Sequence, residues 1–318
     1  MTVESLTRRQ RTAGYLKELV ASSNLKSLFN QKSRIAFTAV VLVAGVGASL
    51  YAWQLADDDN GYRGKTIGLN HYSLLGPPIE LNMLSSNASG ITYNPDTDTL
   101  FAISNGPTYL VEMDKQGQEL RKITLEGFQD TEGLTYLGRG RFAIVEERIR
   151  SVVIVKIDAQ TRSIARAQAR SVTLPGVEDE NNKGFEGIAF NAADQSLFVV
   201  NEDEPRQLLR IDGFVDTEAR HFSVRHPWNM EENSLDKRDL SGVHFDPRTG
   251  HLLVLSDESG SLTESSLSGE VISRLSLASS QAGFKDDVPQ AEGVTMDNHG
   301  QLYILSEPNL LYRLGRDK

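Results

Sequence analysis

The feature that most constrains this chain is a short unit that recurs five times. Each copy sets a glycine directly before an alternating apolar strand: ASGITY (88–93), TEGLTY (131–136), KGFEGIAF (183–190), LSGVHF (240–245) and AEGVTM (291–296). The glycines are Gly90, Gly133, Gly187, Gly242 and Gly293, spaced by 43, 54, 55 and 51 residues. Self-similarity at such a period marks a repeat architecture, and a four-stranded propeller blade takes about 40–50 residues.

The rest of each unit agrees. Turn clusters follow the first strand: NPDTD (94–98), NAADQ (191–195), DPRTG (246–250) and DNHG (297–300), compositions that close hairpins. The second strands, LFAIS, RFAIV, LFVVN, LLVLS and LYILS, are mostly apolar, as strands buried on both faces are. Third strands begin at Tyr109, Val152 and Gln207, and outer strands read ITL (123–125), VTL (172–174) and LSL (275–277). The fifth unit ends one strand short, at LLYRLGRDK (310–318), while SLLGPPIEL (73–81) precedes the first unit and supplies the missing strand. The sequence therefore predicts an all-β fold over residues 66–318. It is a five-bladed β-propeller with N-terminal strand closure, which removes an exposed sheet edge.

Ahead of the propeller, Ile35–Ala56 carries no charge over 22 residues, enough helix to cross about 30 Å of hydrocarbon. Seven basic residues and two acidic ones precede it, and Asp57–Asp59 follow it. Tyr51 and Trp53 stand near its far end, where aromatic rings favour the interface. These features predict a basic cytoplasmic tail (1–34), a transmembrane signal anchor (35–56), a linker (57–65) and a propeller on the far side of the membrane. A cleaved signal peptide is the alternative, although its apolar core is normally shorter.

The whole chain has 33 Lys+Arg against 43 Asp+Glu, a net charge of −10, and residues 35–318 alone carry −15. So acidic a body repels nucleic acid and attracts cations. With no cysteine, thiol catalysis and zinc–thiolate sites are excluded.

Propeller geometry brings the start of each first strand and the end of each second strand to one face. The first column is Ser89, Glu132, Glu186, Ser241 and Glu292; the second is Asn105, Glu146, Glu202, Asp257 and Glu307. Carboxylates so crowded cannot all ionise cheaply without a counter-ion. Calcium, taking six to eight oxygens in loose geometry, suits donors arriving from several blades. Glu132, Glu186 and Glu292 are the leading candidate ligands. The alternatives are solvated loop acids and internal pairing with Lys183, Arg148, Arg150 or Arg206.

The five glycine units, the apolar anchor and the acidic body together resemble the bacterial SdiA-regulated (YjiK-like) family, over essentially all of the chain beyond the anchor. NHL-repeat and esterase-like phytase propellers are similar at greater distance. The resemblance implies a five-bladed propeller with calcium near its axis, and no established reaction. The apolar run and its flanks point to a single-pass inner-membrane anchor with the propeller in the periplasm.

No nucleophile elbow, zincin helix, phosphate loop or dinucleotide fingerprint occurs in the sequence, and no catalytic residue is assigned. Two functions stay open. One is a calcium-binding interaction module of the envelope. The other is a calcium-dependent hydrolase of esters, lactones or phosphoesters, with the ion as Lewis acid. His244, two residues after Gly242, and Trp228, in a long insertion, are candidate ligand contacts. Insertions 175–185, 214–239 and 278–291 are expected to crown the acidic face, offering Phe185, Phe214, Trp228 and Phe284.

Overall fold

The computed structural model describes residues 66–84, 87–174, 184–202, 206–216, 221–228, 235 and 238–316. Five antiparallel sheets follow one another along the chain. Blade I is Ala88–Asn94, Thr99–Ser104, Tyr109–Met113 and Glu119–Glu126. Blade II is Thr131–Gly138, Arg141–Glu146, Ser151–Lys156 and Arg170–Thr173. Blade III is Phe185–Asn191, Ser196–Asn201, Gln207–Asp212 and Ser223–Arg225. Blade IV is Gly242–Asp246, His251–Ser256, Ser261–Ser265 and Val271–Ser276. Blade V is Ala291–Met296, Leu302–Ser306 and Leu310–Arg316. Tyr72–Leu74 and Ile79–Glu80 both pair antiparallel with Leu310–Arg316, so the N-terminal strand closes the ring as expected.

The repeated glycine is what lets the inner strands meet. A Cβ on Gly90 would lie 2.6 Å from the carbonyl oxygen of Glu132, and one on Gly133 2.5 Å from that of Glu186. On Gly187 it would be 2.9 Å from Gly242 Cα, on Gly242 2.9 Å from the Glu292 carbonyl, and on Gly293 2.9 Å from Ile91 N. Each glycine abuts the backbone of the next blade, and the fifth returns to the first. No side chain fits inside that ring.

Outside it, five apolar layers separate neighbouring blades. The second strands sit between two such layers, which explains their unbroken apolar sequence. Phe101 against Phe142 and Phe198 against Phe245 tie blades I to II and III to IV, with ring centroids 4.7 and 5.8 Å apart. The turn clusters act through side chains: Asn94, Asn191, Asp246 and Asp297 each accept the backbone N–H two residues ahead.

Blade II departs from the pattern. Its first hairpin closes through Arg139–Gly140, both at positive φ, giving a tight two-residue turn. Ser163–Ala165 leaves blade II and pairs in parallel with the outer strand of blade I. Only after a 3₁₀ turn, Arg166–Gln168, does the chain return as blade II's own outer strand.

The insertions meet expectation in part. Asp239 and Gln290 border the cavity on the acidic face, other parts differ, and residues 175–183 lie outside the described residues. Ser223–Arg225, inside the 214–239 insertion, is the outer strand of blade III. Phe185, Phe214, Trp228 and Phe284 are buried in the layers between blades rather than displayed over the acidic face. Among the described residues no helix is long and apolar enough to cross a membrane; the run 35–56 lies outside them.

Gly133→Ala and Gly187→Ala are each expected to destabilise the propeller by ~1–3 kcal/mol or more, as overpacking against rigid backbone does. Gly76→Ala, where nothing lies within 4 Å of the new methyl, should be close to neutral. Thermal melts of the three variants check this, and equal melting temperatures would refute the ring's role.

Candidate metal centre

The inner strands place the first column by a shared irregularity. In blades I, II, III and V the register slips at the residue before the glycine, between Ala88 and Gly90, Thr131 and Leu134, Phe185 and Gly187, and Ala291 and Gly293. Such bulges re-aim a side chain. Here they turn Ser89, Glu132, Glu186 and Glu292 into one cavity of about 320 Å³. Ser241, in the blade without the slip, also borders the cavity, but its hydroxyl donates to the Ala291 carbonyl at 2.7 Å.

Of the second column, Asn105, Glu202, Asp257 and Glu307 line the same cavity and Glu146 does not. Glu146 is fully buried and receives Arg166 Nε at 2.7 Å and the backbone N–H of Gln129 at 3.1 Å. Glu147 takes its place at the mouth. The reason is a one-residue offset. Gly133 packs on Val145, as Gly90 packs on Ile103 and Gly187 on Val200, so Glu147 is the residue equivalent to Asn105 and Glu202. The matching letters F-A-I in LFAIS and RFAIV suggest a different alignment, which the tight turn of blade II shifts.

Asp239, absent from both columns, borders the cavity from the loop before blade IV. It is buried, accepts the Ser256 hydroxyl, and takes the N–H groups of Asp257 and Glu258 at 3.0 and 3.2 Å. No repeat signal marks it. A Ser-Asp pair at 256–257 needing a cap is the only trace it leaves. His244 lies on the inner strand of blade IV below the mouth, and Trp228 lies in the apolar layer between blades III and IV; neither lines the cavity.

Burial dominates the electrostatics. It pushes the Glu132 carboxyl up to about 8, opposed by a hydrogen bond from Ser89 and reinforced by Glu147, Asp130 and Glu307. Burial, then Glu307 and Asp257, raise Glu292 to about 9. Burial and Glu202 raise Glu147 to about 7. Glu186 stands well above the ordinary carboxylate range through burial and the charges of Glu132, Glu147, Glu292 and Glu202, which makes it the hub of the set. Glu307 and Asp257 also move up, mainly by burial. No Lys, Arg or His is among the described residues that line the cavity. Arg148, a candidate counter-charge, pairs with Asp130 at 3.0 Å.

Glu147, Glu186 and Glu202 each offer a carboxylate oxygen, and the three oxygens lie within 4.8 Å of one another. Oxygens that close suit one cation held at about 2.3–2.6 Å, the range of calcium. Asn105 donates its amide N–H to Glu132 at 2.5 Å, orienting that carboxylate beside the triad.

The model of the SdiA-regulated family matches residues 66–315. The chain belongs to the SdiA-regulated family. Among solved structures, this SdiA-regulated propeller is similar to the glutaminyl cyclase of Myxococcus xanthus, at 11% identity and a TM-score of 0.52, covering 77% of this chain and 96% of that one. It is also similar to a calcium-binding protein of Agrobacterium tumefaciens, regucalcin, at 12% identity, TM-score 0.47, and coverage of 76% and 94%. A gluconolactonase of Xanthomonas campestris matches at 14% identity, TM-score 0.45, and coverage of 77% and 92%.

The raised carboxyls fix the sign of a pH dependence. An acid whose folded pKa exceeds its unfolded value binds extra protons when folded. Its stabilising contribution is full below the unfolded value of 4.5 and is lost as pH climbs through about 7 for Glu147, 8 for Glu132 and 9 for Glu292. In chelator, the melting temperature should therefore fall between pH 5 and pH 9, and fall less in Glu292→Gln. A flat profile would contradict the burial of these groups.

Proposed function

We propose that this member of the SdiA-regulated family is a calcium-binding propeller of the cell envelope, anchored through residues 35–56 in the inner membrane and facing the periplasm, where it serves as a binding module. The observation that carries the calcium reading is the triad of Glu147, Glu186 and Glu202, with oxygens within 4.8 Å of one another in a cavity lined by further carboxylates. Glu132 and Glu292 flank the triad and share the ion's field. This refines the expected ligand set, in which Glu186 is the common member. An all-oxygen donor set with no Cys and no lining His favours a hard cation over zinc or copper.

An ion would supply the positive charge that these buried carboxylates otherwise replace by holding protons. It would also join loops of several blades at the open end of the channel. The envelope location rests on the uncharged 22-residue run and its basic-before, acidic-after flanks. Binding is favoured over hydrolysis because His244, the one His that the sequence offers as a ligand contact, is not among the described residues that line the cavity, none of which brings an imidazole to act as a base.

Calcium binding and carboxylate repulsion make opposite predictions for one substitution. Glu186→Gln should raise the melting temperature of the chelator-treated full-length chain at pH 8, because it removes a carboxyl whose ionisation is opposed by burial and by neighbouring acids. The same variant should lose most of the calcium-induced rise seen in the parent, since a ligand that binds only the folded state stabilises by mass action. Magnesium should produce a smaller rise than calcium. An equal calcium response in parent and variant would refute the site.

A further inference from the structure

The crossing of Ser163–Ala165 into blade I has a consequence at the outer edge of blade II. The returning strand covers the third strand only from Ser151 to Ile154, where Arg170 pairs with Ile154. Among the described residues no outer strand pairs with Val155–Lys156. The chain between the crossing and the return leaves a groove of about 680 Å³ at this place. Its floor is apolar, made by Ile154, Val155, Ile164, Ala165 and Ala169.

The rim is basic, on a body that carries −15 beyond residue 34. Arg141, Lys156, Arg162 and Arg170 line the groove, with Asp158 the one acid. Asp158 is engaged in its own turn, accepting the N–H groups of Gln160 and Thr161 and the Thr161 hydroxyl. Hydrogen bonds from Thr161 and Gln160, and then the Lys156 charge, hold the Asp158 carboxyl below its usual range. Among the described residues none of the four cations forms an ion pair. Instead, backbone carbonyls hold the guanidiniums. Arg141 donates to the Val215 carbonyl at 3.3 Å and Arg170 to the adjacent Asp216 carbonyl at 3.4 Å. Arg170 also stacks over Phe214, 4.9 Å from the ring centre. Arg162 donates to the carbonyls of Ala159 and Thr161. Two arginines are thus placed by neighbouring carbonyls of one loop, with further N–H donors left for an incoming oxyanion.

We propose that this groove docks an extended acidic peptide segment of a partner protein. Its carboxylates would meet Arg141, Lys156, Arg162 and Arg170, its intervening apolar side chains would cover the floor, and its backbone would add to the open strand edge at Lys156, whose N–H and C=O face outward. Strand addition of this kind takes affinity from main-chain hydrogen bonds and specificity from alternate side chains. A flat anionic bilayer fits poorly, because the basic rim surrounds an apolar trough and the body as a whole is acidic. A lone phosphate would fill little of the volume. The site is separate from the acidic cavity and does not depend on calcium.

The test uses the full-length chain in chelator and a fluorescent decapeptide alternating Glu and Val, with a Gln-for-Glu peptide as control. Fluorescence anisotropy should show binding of the acidic peptide that weakens with added salt, and no binding of the control. Arg162→Glu, on an exposed turn, should weaken binding at least tenfold with an unchanged melting temperature. Arg141→Gln should also weaken it. Hydrogen exchange at Lys156, whose N–H faces the open edge, should slow when peptide is bound, which charge attraction alone would not cause. Binding that is equal for the two peptides, or unchanged in Arg162→Glu, would overturn the proposal. So would full displacement by millimolar inorganic phosphate, or binding of anionic phospholipid vesicles but not of peptide.

Discussion

Everything in this propeller depends on how closely five inner strands can approach. The ring of Gly90, Gly133, Gly187, Gly242 and Gly293 sets that distance, since a methyl group at any of them would meet backbone at 2.9 Å or less. Backbone cannot move aside as a side-chain tip can, so the constraint is steric and absolute at each of five points. Close approach has an electrostatic price. In four blades the residue before the glycine is swung by a bulge to the same end of the channel, and in three of them that residue is glutamate. Packing at the axis and charge crowding at the mouth are two results of one geometry.

That shared origin explains which parts of the structure are legible in the sequence. The glycine period, the apolar second strands and the orphan third strand at the C-terminus are all direct consequences of the ring. They point to five blades and N-terminal closure without further information. Turn clusters are legible because Asn94, Asn191, Asp246 and Asp297 act locally, on N–H groups two residues away. What is not legible depends on contacts between distant segments. The exchange of Ser163–Ala165 into blade I is a choice between two edges, and neither edge has a sequence code. The same holds for Trp228 and Phe284, whose aromatic character suits a binding loop and a packed layer equally.

The acidic mouth was legible to within one residue. Charge and repeat position identify Glu132, Glu186, Glu202, Asp257, Glu292 and Glu307 as neighbours, and all six line the cavity. Glu146 and Glu147 are adjacent and chemically identical, so only the register of the blade II hairpin separates them. The register assigns opposite roles. Glu146, fully buried, holds Arg166 and with it the crossing segment; Glu147 joins the cavity. Asp239 is a third kind of acid, buried as the cap of the Ser256–Glu258 turn.

In the proposed calcium site, the axial carboxylates hold protons in place of a cation that they would share. Metal binding to protonated ligands releases those protons. Calorimetric titration of calcium at pH 6.5 and at pH 8.5, repeated in buffers of different ionisation enthalpy, counts them directly. Carboxyls pushed up to about 8 and about 9 at Glu132 and Glu292 predict a measurable proton release, greater at pH 6.5 than at pH 8.5. Calcium binding with no proton release at either pH would contradict the claim.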